Sequence, residues 1–105
     1  MRILFDNGTP RGVAAALTAH IVEEARSRGW DALKNGELLD AAEAASFDVL
    51  LTTDRNIRFQ QNLIGRRIAV VILSKGRWKP IKLKLDAIAT TIGAATPGRV
   101  TEVEI

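Results

Sequence analysis

Phe47-Asp48-Val49-Leu50-Leu51-Thr52-Thr53-Asp54 is the stretch on which the fold turns. Its middle is apolar at consecutive positions, so an extended segment here buries both faces, as a central parallel strand covered on two sides does. It ends on a carboxylate. Ile68-Ala69-Val70-Val71-Ile72-Leu73 reads the same way, and Ile57 to Leu63 between the two runs has the pattern of a short helix. Toward the amino terminus, Arg2-Ile3-Leu4-Phe5-Asp6 is a third apolar run, stopped by the turn pair Asn7-Gly8. Thr9 can then cap a helix that has Pro10 at its first position and runs to about Ala19. Ile21-Val22-Glu23 predict a short strand before Arg26 to Trp30. Asn35 is a good cap for a helix whose apolar side is Leu38, Leu39, Ala42 and Ala45. In the other direction Ile81, Leu85, Ile88 and Ile92 follow the helical period, and Thr101, Val103 and Ile105 alternate as a half-exposed edge strand. Strands alternating with helices imply an α/β domain with a mostly parallel central sheet of about five strands and right-handed crossovers.

The chain has 105 residues, 47% hydrophobic and 26% charged, which suits a single domain over residues 1–105 with a core of its own. There is no cysteine, which excludes a disulfide framework and thiolate zinc sites. Met1 is followed by Arg2 and only three apolar residues before Asp6, and the longest later apolar run is Ile68 to Leu73. Neither forms a signal sequence or a membrane span, so a cytoplasmic protein without membrane contact is expected. Charge is unevenly distributed. Residues 1–54 hold 5 Lys/Arg against 9 Asp/Glu and residues 55–105 hold 10 against 3, within a net charge of +3. Such asymmetry points to a polyanionic partner, or to an acidic site with a basic approach.

Ligands of open parallel sheets bind beyond the carboxyl ends of the strands, where neighbouring crossovers leave to opposite faces. Asp6 closes the first strand and Asp54 the third. In a 2-1-3-4 strand order these ends stand about 5 Å apart. Two carboxylates that close repel one another unless a cation compensates, and oxygen-only ligation of this kind suits Mg²⁺ or Mn²⁺ rather than zinc. Each Asp taken alone is also an ordinary turn or cap residue. A third acid from the middle helix strengthens the site: Glu37 in its first turn is the candidate, Asp40 the competitor. Thr53 and the asparagines Asn7, Asn35 and Asn56 stand beside these acids and are able to orient carboxylates or water. Arg55, Arg58, Arg66 and Arg67 follow the third strand; Lys75, Arg77, Lys79, Lys82 and Lys84 follow the fourth, interleaved with Phe59 and Trp78. Cations with aromatics suit phosphodiesters and unpaired bases, and equally make a solvated basic surface. His20, the single histidine, reads as a cap or surface residue. No nucleophile elbow, Walker loop or paired-histidine pattern is present.

The opening residues Met1 to Pro10, the central Leu33-Lys34-Asn35-Gly36-Glu37-Leu38-Leu39 and Leu50-Leu51-Thr52-Thr53-Asp54-Arg55-Asn56 together resemble the small bacterial PIN-like domains of unknown function, which are related to toxin ribonucleases of the VapC kind. The similarity covers residues 1 to 75, and Phe59-Gln60-Gln61-Asn62-Leu63 also looks like one branch of that family. The resemblance implies a three-layer α/β/α sandwich, an acidic pocket for Mg²⁺ or Mn²⁺ formed by Asp6, Glu37 and Asp54, and RNA cleavage by metal-activated water. On that reading Thr53 and Asn56 orient ligands, and Arg55, Arg58 and Lys75 hold the RNA backbone. An antitoxin protein and a homodimer are further partners it implies. The chain departs from the family pattern at Asn7, Asn35 and Asn56, where members commonly carry acids. Asparagine keeps an oxygen ligand and loses the charge, so metal affinity falls. The competing expectation is therefore a catalytically degenerate module that binds RNA or a partner protein. A phosphoacceptor of the receiver-domain kind fits Asp54 and Ser74 only superficially, since the acid pair at the first strand and the turn after Asp54 are missing.

Overall fold

A computed structural model describes residues 1–60 and 62–105; Gln61, part of the expected helix from Ile57 to Leu63, lies outside them. Among the described residues five strands form one all-parallel sheet: β1 (Arg2–Phe5), β2 (Ile21–Glu24), β3 (Val49–Thr52), β4 (Ala69–Leu73) and β5 (Val100–Val103), in the order β2-β1-β3-β4-β5. The helices are α1 (Asn35–Ala44), α2 (Ile57–Gln60), α3 (Trp78–Lys82) and α4 (Leu85–Gly93), with 3-10 turns at Arg11–Ala16 and Arg26–Arg28. β3 and β4 lie inside the sheet and are buried along their whole length, which is why their sequences show no polar alternation.

Alternate residues of each strand serve two cores. Ile3, Phe5, Val49, Leu51, Val71 and Leu73 face one layer, where they meet Val13 and Leu17 from the first connection and Ile81, Ile88 and Ile92 from α3 and α4. Leu4, Leu50, Val70 and Ile72 face the other, under Leu38, Leu39 and Ala42 of α1 and Ile57 of α2. The molecule is thus a three-layer α/β/α arrangement.

Two local readings changed. The expected Thr9-capped helix is a 3-10 turn, because the buried Thr9 hydroxyl donates instead to the Leu51 carbonyl at 3.1 Å, and Pro10 takes the cap position. The C-terminal helical pattern is split into α3 and α4 at Leu83 and Lys84. Trp78 opens α3 and lays its indole over Gly12, where any Cβ would overlap the ring.

The crossovers do not share one hand. The β1–β2 connection runs over the Val13 face, and β2–β3 and β3–β4 run over the opposite face in the opposite direction along the sheet. These three are of one hand. The β4–β5 connection returns to the Val13 face while still moving outward, so its hand is opposite to the other three. Right-handed crossovers were expected throughout, so this connection departs from the expectation. Here the link carries two helices, α3 and α4, which supply the apolar cover over Leu73 and Val103. β3 is consequently the one strand of the central three whose carboxyl end leads to the α1/α2 layer, with β1 and β4 leaving to the other. The expected divergence at the ends of β1 and β3 is therefore present.

Candidate functional site

The chain leaves β1 at Asp6 and turns at once through Gly8, whose φ of +87° suits a residue without a side chain. β3 ends at Thr52, and Thr53 and Asp54 follow it on the same rim. Asp6 N–H donates to the Leu51 carbonyl at 2.9 Å, which locks the two strand ends side by side.

One buried hydroxyl ties the two acids together. Thr52 Oγ1 donates to Asp6 Oδ2 at 2.8 Å and accepts the Asp54 backbone N–H at 3.0 Å. The other oxygen of Asp6 accepts Asn7 N–H at 2.8 Å. Asp54 Oδ1 accepts Asn56 N–H at 2.9 Å, and its Oδ2 accepts the side-chain amide of Asn35, also at 2.9 Å. Among the described residues each of the four carboxylate oxygens therefore has a hydrogen-bond donor.

Thr52 and Thr53 both offer hydroxyls at this rim, and Thr53 was the one expected to orient ligands; the hydroxyl that meets the acids is that of Thr52. Thr53 instead packs between Gly8 and Gly76, bringing together the loops that follow β1, β3 and β4. Thr52 carried a signal: it is a polar residue at the end of a strand buried on both faces, and a buried hydroxyl needs partners. Of the asparagines, Asn7 and Asn56 hold the acids through backbone N–H groups, and the Asn7 amide donates to the Asp31 carbonyl.

Glu37 does not join the pair. It is exposed in the first turn of α1, and its Oε1 accepts the Lys34 N–H at 3.3 Å, so it closes the start of its own helix. Asn35, expected to cap that helix, lends its amide to Asp54. Asp40 and Glu43 point to Arg66, and Glu43 also accepts Arg67 N–H at 3.0 Å. Burial works to raise the Glu43 carboxyl, but the Arg66 and Arg67 bonds outweigh it and hold it below its ordinary value. Among the described residues no three His, Cys, Asp or Glu side chains form a group that could hold a metal ion. The rim is a hard, oxygen-only donor set with two carboxylates, and a three-carboxylate centre for Mg²⁺ or Mn²⁺ does not fit the residues as they stand.

Two cationic groups flank the acids. Arg55 and Arg58 converge on Glu102 of β5, at 3.3 and 2.8 Å, in a cavity of about 380 Å³ also lined by Asn56 and Phe59. Glu102 was not singled out from sequence. Lys75, Arg77, Lys79, Lys82 and Lys84 are all exposed along the β4–α3 loop, α3 and the residues that follow it. None of the five makes an ion pair among the described residues. A smaller cavity, about 60 Å³, opens beside Asp6 between Arg11, Glu24 and Arg26, where Arg11 and Glu24 are paired at 2.7 Å.

No helix among the described residues is long and apolar enough to cross a membrane. Comparison with family models, curated proteins and solved structures gives no significant match.

Proposed function

We propose that this chain is a PIN-like module that binds RNA through the rim at the carboxyl ends of its strands, with its metal centre reduced to an acid pair. The observation that carries this reading is the redirection of the helix acid. Glu37 serves the Lys34 N–H, and Asn35 presents an amide donor to Asp54 where a carboxylate would add charge. Asp6 and Asp54 keep the framework of a phosphodiester site, and the exposed cations from Lys75 to Lys84 supply the attraction for a polyanion.

A second reading rests on the Thr52 bridge. It holds Asp6 and Asp54 in one hydrogen-bonded unit, and Mg²⁺ is often bound through one or two carboxylates with substrate phosphates completing its shell. In that case the protein is a toxin-type, metal-dependent ribonuclease, for which an antitoxin and a homodimer are the corresponding partners.

Titration with Mn²⁺ in the presence of labelled RNA separates the two. The binding module gives salt-sensitive RNA binding and no metal-dependent product, and Asp54→Asn binds at least as well as wild type because a repelling charge is gone. A product that appears with Mn²⁺, disappears with chelator and is lost in Asp54→Asn establishes the nuclease instead. Absence of RNA binding at low salt removes both.

A further inference from the structure

Phe59 stands 82% exposed on α2, at the mouth of the cavity formed with Arg55, Asn56, Arg58 and Glu102. An aromatic ring left in water beside two guanidinium groups forms a surface with two complementary parts, one apolar and planar, one cationic. At about 380 Å³ the cavity falls within the range of small-molecule sites, roughly 300–1,000 Å³. The cations are fixed by the fold: Glu102, 15% exposed, holds both arginines, whose side chains remain 61% and 37% exposed. Two guanidinium groups on one carboxylate leave a net positive wall with N–H donors still to offer. Asn56 is anchored by its backbone to Asp54 and lines the same cavity, which gives the site an amide able to meet a base edge.

We infer that this cavity holds one unpaired nucleotide of an RNA strand, its base stacked on Phe59 and its phosphate held by Arg55 and Arg58. The inference rests on the RNA-binding reading and narrows its ligand class to single strands, because bases in a duplex are stacked on their neighbours and offer no open face. An acidic peptide would satisfy the arginines and leave the ring without a partner. The basic strip begins on a neighbouring loop. Thr53 packs against Gly76, so the loop carrying Lys75 lies beside the one carrying Arg55, and neighbouring phosphates of the same strand can run from one to the other.

Fluorescence anisotropy with short labelled oligouridylate, oligoadenylate and a matched RNA duplex tests this on wild type, Phe59→Ala, Phe59→Trp and a triple variant of Lys75, Arg77 and Lys79 to alanine. Phe59→Ala is expected to weaken single-strand binding roughly five- to a hundredfold, the range of one stacked base, with an unchanged salt slope. Phe59→Trp restores it, and duplex binding does not respond. If Phe59→Ala binds as wild type does while the triple variant loses affinity, the pocket is overturned and the RNA reading stands. If wild type binds neither strand form, the RNA reading falls, and titration with uridine and adenosine monophosphate followed by NMR decides the pocket alone. Shifts confined to Arg55, Asn56 and Phe59 that vanish in Phe59→Ala retain it, and their absence overturns it.

Discussion

Glu23 of β2 and Asp40 and Glu43 of α1 are closed on arginines, whereas the cations from Lys75 to Lys84 are open. On the closed side Glu23 holds both Arg2 and Arg28, whose guanidinium groups also lie over the Phe47 ring at 4.7 and 5.1 Å. Glu43 and Asp40 likewise take Arg66. On the open side five cations face solvent without an acid among the described residues. The imbalance between the two halves of the sequence is thus not what a ligand meets. Arg66 and Arg67 belong to the basic half and are spent on an acid of the other half, and Glu102 takes two more arginines. Of the eight cations without an ion pair among the described residues, five lie in one ten-residue segment, the others being Arg26, Lys34 and Arg99. Paired charge belongs to the fold; unpaired charge is available to a partner.

The largest effect expected from this contrast comes from replacing Lys75, Arg77, Lys79, Lys82 and Lys84 together by glutamine. RNA affinity should drop by on the order of a hundredfold at moderate salt, with a flatter dependence of log affinity on log salt, since each lost contact to a single strand removes about 0.7 from the slope. Unfolding by urea should shift by no more than about 0.5 kcal/mol per substitution, as for surface residues away from structural contacts. A large loss of stability would break the comparison. On the closed side Glu43→Ala should cost about 1–3 kcal/mol, because it strips acceptors from Arg66 and from the Arg67 N–H. RNA binding should hardly respond. The smallest effect is on pH dependence. The Arg28 hydrogen bond holds Glu23 below its ordinary value of 4.5, against a smaller opposing effect of burial, and Glu43 is lowered too. Carboxyls lowered in the folded state stabilise it above the unfolded value, and that contribution is lost as pH falls through the folded one. Wild type should therefore lose stability below about pH 4.5 more steeply than Glu43→Gln, measured as urea midpoints across that range.

How far the sequence reading reached follows from the range of the interactions. β1, β3 and β4 were legible because burial on two faces demands runs of apolar residues, and the placing of Asp6 and Asp54 on one rim followed from strand order. The fine geometry of the rim was not legible. Whether Thr52 or Thr53 faces the acids depends on strand phase at its last residue, and Asn35 and Glu37 exchanged the roles expected of them within one helical turn. Glu102 lies 44 residues from Arg58, and nothing local to either position announces the pairing. The hand of the last crossover is equally non-local.

The seat of Trp78 on Gly12 bears directly on where RNA would lie. A single absent methyl group early in the chain lets an indole settle flat against backbone, and that indole is the first residue of the segment bearing Lys79 and Lys82. Give position 12 any side chain and the ring must move aside, which removes the contact that seats the first residue of α3.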